Sequence, residues 1–224
     1  MKKSIQQYCK KRVEDQTLLT LLLLVDIILI IIHIWLWAQG QRSFAFNIEA
    51  DRSIPEVFNY LKWTISAIAC VYIYKHDNGF LYMIWALLFF YFLLDDANQI
   101  HEQLGSILVV ALDINPALAL RAQDFGELAV SLNVGCVILG AMAYTYLKGD
   151  NQTGSKDFTR LQLPWLGVLI FCGVFVDMFH IQIGFFKSPS LTMIVGVIED
   201  GGEMIAASFL TSISVERALR IRLH

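Results

Sequence analysis

Long apolar runs separated by short polar stretches dominate the chain. The first, "TLLTLLLLVDIILIIIHIWLWA", is too long for a signal-peptide core and lacks a small-residue cleavage site, so it reads as a retained span. A helix needs about 20 mostly apolar residues to cross the hydrocarbon of a bilayer. Six stretches meet or approach that requirement: 17–38, 58–75, 80–100, 126–147, 164–186 and 190–214. The second is the weakest, being short and carrying Lys62 near its start. The pattern predicts an all-α fold, a polytopic membrane bundle of six transmembrane helices. Residues 1–16 then form an N-terminal segment, 17–214 a single six-helix membrane domain, and 215–224 a C-terminal tail. Between spans 3 and 4, "SILVVALDINPALAL" at 106–120 is expected to form a short interfacial or re-entrant helix, interrupted at Pro116.

Charge sets the orientation. With the N-terminus in the cytoplasm, twelve of the 17 Lys and Arg residues fall on that side: Lys2, Lys3, Lys10, Lys11, Arg12, Lys75, Lys148, Lys156, Arg160, Arg217, Arg220 and Arg222. Arg42, Arg52, Arg121 and Lys187 fall on the other, with Lys62 just inside a span. The positive-inside rule therefore places both termini in the cytoplasm. Composition agrees with the membrane class, at 56% hydrophobic residues. The net charge of −3 carries no clustered basic surface and excludes a nucleic-acid partner. Cys9, Cys70, Cys136 and Cys172 include no Cys-x-x-Cys pair and do not form a disulfide framework.

The spans are not uniformly apolar. Span 1 carries Asp26 and His33, seven residues apart and so within about 20° of one helix face. Span 3 ends in "LLDDANQIHEQLG", where Asp95, Gln99 and Glu102 are expected to form one inward stripe. Asp96 is expected at the rim, pointing away from Asp95, and His101 in or beside the site. Span 4 opens on Asp124 and Glu127, span 5 carries Asp177 and His180 one turn apart, and span 6 carries the i,i+4 pair Glu199 and Glu203. Asp200 points elsewhere. Most of these side chains fall in the middle-to-outer part of a core roughly 30 Å thick.

A carboxylate at mid-bilayer costs about 2.5–3.5 kcal/mol on insertion scales, so it needs a partner. Lys62 is the only cation available within the spans. The remaining acids must be protonated or neutralised by a bound cation. An acid-x-x-His pair facing carboxylates from other helices is a recurrent metal-binding pattern in bundles. The expected ligands are Asp95, Glu102, Asp177, His180, Glu199 and Glu203, with His101 in the first or second shell, and the mixed His and carboxylate set suits Zn, Fe or Mn. Each residue also has a structural reading. Asp124 suits a helix N-cap. Asp26 and His33 can satisfy each other through a water. Gly201 and Gly202 suit a close helix contact.

The segments "LDDANQIHE" and "IEDGGEMIAASF" resemble the pattern of a group of uncharacterised bacterial multi-spanning membrane proteins. In that group an acid-acid-Ala-x-x-x-His-Glu segment is followed by a Glu-rich span. The resemblance covers spans 3 to 6, implies a bacterial inner membrane, and carries no known activity. The chain departs from the membrane hydrolases related to alkaline ceramidases, since Glu199 and Glu203 stand where a His-x-x-x-His would be. Three functions follow as expectations. The first is a metal-dependent membrane enzyme of hydrolase type acting on a lipid or amphiphile. The second is a proton- or cation-coupled transporter or channel using the same acids. The third is a non-catalytic scaffold or sensor with protonated buried acids.

Overall fold

The computed structural model describes residues 2–41, 43–117, 120–149, 152–184 and 188–222, with side chains described from Thr17 onward. The basic side chains at 2–12 and Cys9, and residues Arg42 and Lys187, on which part of the orientation argument rests, lie outside that description. Among the described residues every regular element is helical. α1 spans Lys2–Ala38, α2 Ile54–Asp77, α3 Phe80–Asn98, α4 Ile100–Leu112 and α5 Ala122–Tyr144. A long helix from Thr153 to Gly184 follows, made of α6 (Thr153–Ile170), a π-helical segment Phe171–Val176 and α7 (Asp177–Gly184). α8 (Pro189–Arg222) closes the chain.

Four helices are long and apolar enough to cross a membrane: Thr17–Ala38, Phe80–Asn98, Ala122–Lys148 and Thr153–Gly184. The expected spans at 58–75 and 190–214 are helical, within α2 and α8, but are not apolar enough to be counted with them. Their position explains this. α8 packs against α1, α2, α6, α7 and the π segment, and α2 packs against α3 and α8. A helix face packed on protein can carry polar residues that a lipid-facing one cannot, and α2 shows both, with Lys62 and Ser66 buried and Leu61, Ile65 and Ile68 exposed. α1 is the reverse case: Leu21, Ile28, Ile31 and Trp35 are exposed, and its buried described side chains are Asp26, Leu29 and His33. These three lie on one face at i, i+3 and i+7. The polar residues of span 1 are thus its inward stripe.

Local chemistry sets the helix ends. Ser53 caps α2 by accepting the Glu56 N–H at 3.4 Å, and Pro55 occupies the first turn, where no N–H is needed. Asn78, left-handed at φ 53°, ends α2 with its N–H on the Tyr74 carbonyl at 2.9 Å. Gly201 and Gly202 do mark close helix contacts. A Cβ at Gly201 would sit 3.1 Å from Ile30 of α1, and one at Gly202 would overlap Cys172 Sγ. The helix runs through both.

Two expectations fail at Gln99. The residue adopts φ 52° and breaks the helix, so α3 ends at Asn98 and a separate α4 begins at Ile100. Asp95, Gln99 and Glu102 therefore do not share one stripe. The short helix expected at 106–120 lies at 100–112 instead and stops at Asp113, again left-handed at φ 49°, before Pro116 is reached. α4 packs on α5 through a glycine pair: a Cβ at Gly105 would lie 2.7 Å from the Glu127 nitrogen, and one at Gly126 would overlap the Gly105 carbonyl.

The main apolar core joins α2, α3, α6 and α8 through Trp63, Trp85, Phe89, Phe158, Ala207 and Leu210. The other end of the bundle, where α1 meets the connection to α2 and where α8 begins, is where the acids gather.

Candidate cation site between α7 and α8

Asp177 and His180 stand one turn apart on α7, facing Glu199 of α8. His180 Nδ1 lies 2.6 Å from Glu199 Oε2. The Asp177 and Glu199 carboxyls also hydrogen-bond each other, which requires a proton between them, because an ionised carboxylate only accepts. Glu203 follows one turn on, its carboxyl filling the space a Cβ would take at Gly173. Gly173 belongs to the π segment immediately before Asp177. Such insertions turn the residues that follow by a fraction of a helical turn and are frequent at functional sites. Here the insertion sets the direction in which Asp177 and His180 leave α7. Glu199, Asp200 and Glu203 are half-buried, and the His180 and Glu199 side chains keep 19% and 14% of their surface accessible.

Other groups join them. Asp96 was expected at the rim, yet it accepts the Trp63 indole N–H at 2.8 Å while its backbone carbonyl accepts the Tyr60 hydroxyl at 3.1 Å. It is Asp96, with Asp177, whose charge reaches Glu203. Asp200, expected to point elsewhere, interacts with Glu203, Glu199, Glu49 and Asp177. Cys172 on the π segment lies against Gly202 and is within electrostatic reach of Glu203 and Glu199. Glu49, on the connection between α1 and α2, reaches Gly196 beside His180. Glu49 and Cys172 were not among the expected site residues, Glu49 because it lies outside the apolar spans and Cys172 because it is a lone thiol within one.

Asp95, His101 and Glu102 form a second group at the turn between α3 and α4. The Asp95 carboxylate takes the His101 backbone N–H at 2.8 Å and faces its Nδ1 at 3.0 Å. The hydrogen bond to Asp95 pushes the His101 imidazole up to about 9. Burial raises the Glu102 carboxyl above its usual range. Gln99 donates to Asp51 at 2.5 Å, and Gln123 of α5 bonds both the Glu102 carbonyl and Glu127. Asp124 is not the N-cap of α5 but its third residue. It accepts the Arg121 backbone N–H at 2.6 Å and clasps the guanidinium at 2.9 and 2.6 Å.

The one buried Lys or Arg among the described residues is committed elsewhere. Lys62, 1% exposed, donates to Asp26 Oδ1 at 2.6 Å and to the Met204 carbonyl at 2.9 Å, and Ser208 donates to the other Asp26 oxygen at 2.5 Å. Asp26 and His33 do not satisfy each other. Below this pair, Ser66 bonds Thr211 at 2.9 Å and Gln162 bonds Ser214 at 2.8 Å, a line of neutral polar groups between α2, α6 and α8. Among the described residues no Lys or Arg pairs with Asp96, Asp177, Glu199, Asp200 or Glu203. Nor do any three His, Cys, Asp or Glu side chains there stand ready-spread around a metal-sized gap. The donor atoms of Asp177, His180 and Glu199 face each other, bridged by hydrogen bonds.

Fold and site together define a class: an all-α chain with four helices of membrane-crossing length and apolarity, and a carboxylate–imidazole group enclosed among its helices. The chain belongs to the family described as Domain of unknown function (DUF8692), which matches residues 56–216. That range takes in Asp96, Asp177, His180, Glu199 and Glu203, and leaves out Asp26, His33 and Glu49. No curated protein and no solved structure matches the chain.

Proposed function

We propose that this chain is a six-span protein of a bacterial inner membrane, with both termini cytoplasmic, that binds a divalent cation among Asp177, His180, Glu199 and Glu203. The observation that carries the reading is the meeting of Asp177, His180 and Glu199 with no Lys or Arg ion-paired to them among the described residues, the Arg121 charge that reaches Asp177 being clasped by Asp124. A shared proton and a cation are alternative ways to neutralise one carboxyl pair. The cation enters by replacing the proton, with small rotations of side chains that already touch. Imidazole and carboxylate donors suit Zn, Mn or Fe, and Cys172 adds a thiol that favours Zn or Fe.

The chemistry such an ion supplies is activation of water for hydrolysis of a lipid or amphiphile. A carboxylate of the group that does not ligate the ion serves as the general base. The test is elemental mass spectrometry on protein purified without added chelator, for the wild type and for His180→Ala. Stoichiometric Zn, Mn or Fe is expected in the first and a large loss in the second. A wild type free of all three would sink the reading.

A second reading, proton- or cation-coupled transport, draws support from the polar line Lys62–Asp26–Ser208, Ser66–Thr211 and Gln162–Ser214 below the acids. It predicts ion flux into proteoliposomes that Glu199→Gln abolishes. Flux equal to that of empty liposomes counts against it.

A further inference from the structure

Two helices of membrane-crossing length and apolarity end beside each other at one corner of the bundle. The first, which begins with α5, closes at Lys148, and the next opens with α6 at Thr153. A connection this short between two spans lies at a membrane surface, whichever way the chain is oriented. At this corner Lys156 and Arg160, one turn apart on α6, converge on Tyr146. The Lys156 ammonium stands 5.5 Å from the centre of the Tyr146 ring and the Arg160 guanidinium carbon 5.8 Å from it. Arg160 Nε donates to the Tyr146 hydroxyl at 2.6 Å. Tyr146 itself packs against the main apolar core, so both cations are drawn to one fixed point of the bundle.

The positive charge at this corner exceeds its partners. Lys148 and Lys156 form no ion pair among the described residues. Arg160 meets Asp157 at 3.3 Å, with the two side chains 66% and 69% exposed, and an exposed pair of that kind holds little energy. Lys156 is the fourth residue of α6, whose first turn carries no acid, and the helix dipole disfavours a cation there. An anion seated on Lys156 and Arg160 offsets both the repulsion between them and the dipole. The same two helix ends expose Tyr144, Leu147, Leu161 and Leu163, apolar surface of the kind that acyl chains cover. Cations and a tyrosine beside lipid-facing leucines are the materials of a headgroup site.

We infer that Lys156, Arg160 and Tyr146 bind the phosphate of an anionic phospholipid at the junction of α5 and α6, with Lys148 adding to the local positive charge. The guanidinium and the ammonium donate charge-assisted hydrogen bonds to the phosphate oxygens. The Tyr146 hydroxyl, which accepts from Arg160, still has its own hydrogen to donate. Anionic lipids are preferred because a zwitterionic headgroup brings a cation of its own towards two cations of the protein. The α7–α8 acids play no part in this site.

The test titrates the full chain, in a nonionic detergent, with phosphatidylglycerol, phosphatidylcholine or inorganic phosphate, following the melting temperature and the lipid retained in native mass spectrometry. Phosphatidylglycerol is expected to be retained and to raise the melting temperature, with little effect from the other two. Lys156→Gln with Arg160→Gln is expected to weaken phosphatidylglycerol binding by about thirtyfold, the effect of two cations at about 1 kcal/mol each. Without lipid this double variant melts with the wild type, because the described contacts of the two side chains reach only Tyr146 and Asp157. Lys75→Gln with Arg222→Gln, which removes two other exposed cations, keeps wild-type binding. Equal binding of phosphatidylglycerol and phosphatidylcholine by the wild type overturns the site. So does an equal loss in the two double variants, which would make the attraction a diffuse property of the basic end. A stabilisation by inorganic phosphate as large as that by phosphatidylglycerol rules out the lipid as its ligand. A lipid-free Lys156→Gln, Arg160→Gln protein that melts well below wild type shows a structural role and overturns the inference as well.

Discussion

Lys62 and Asp26 show how a single residue's meaning depends on its partner. Each is a costly residue for a membrane helix; together, 2.6 Å apart and closed off by Ser208 and the Met204 carbonyl, they pin α1, α2 and α8 to one register. Removing one partner leaves the other buried and uncompensated, which costs about 3–5 kcal/mol, whereas replacing both by apolar residues is often neutral or stabilising. Lys62→Met is therefore expected to lower the melting temperature sharply in detergent. Asp26→Leu added to it should restore most of the loss, and a double variant no better than the single one would contradict the pairing. His101 gives a pH signature of its own. Its imidazole is raised from 6.5 to about 9 by Asp95. The stabilisation this brings is complete below pH 6.5 and fades as pH rises through about 9. Thermal unfolding from pH 6 to 10 should show a decline of a few degrees across that window, absent in His101→Gln. A wild-type profile flat across the window would show that the pair contributes nothing.

At the scale of elements, the π segment Phe171–Val176 decides what α7 presents. An α-helix turns by about 100° per residue, so deleting Val174 to restore regular winding swings Asp177 and His180 away from Glu199. The expected result is loss of Zn²⁺ binding with helical content and size-exclusion behaviour unchanged; retained binding would mean that the π segment does not aim the site. The i,i+3 relation of Asp177 to His180 and the i,i+4 relation of Glu199 to Glu203 were legible from spacing, because helical periodicity is local. The π insertion was not legible, since nothing in "FCGVFV" differs from ordinary apolar helix. The break at Gln99 was equally hidden, as neither Gly nor Pro marks it within the polar stretch "DDANQIHEQ". It misdirected the reading of Asp95 and Glu102, which follow the turn and not a helix face, and it concealed that Asp96 is the acid that faces inward.

Across the described residues, α8, which is not among the four helices apolar enough to cross a membrane, packs against α1, α2, α6, α7 and the π segment. Asp51 and Gln99 meet at one end of the bundle, and Asp77, Tyr82 and Arg217 at the other, where Arg217 bonds both Asp77 and Tyr82. The topology is expected to show in cysteine labelling: in a cysteine-free chain, Asn115→Cys should react with an impermeant maleimide in intact cells, and Asp157→Cys only after permeabilisation. The reverse pattern would invert the orientation. By itself the sequence determined the helical class, four of the six expected apolar spans, the buried face of α1 and the acid-x-x-His and Glu-x-x-x-Glu pairs, because each follows from composition or from a period within one segment. Tertiary structure decided which acid found which base. Lys62 went to Asp26, Asp177 and His180 went to Glu199, and Glu49 came in from a loop, because those pairings depend on how separate helices and a connection approach in space, which no spacing along the chain records.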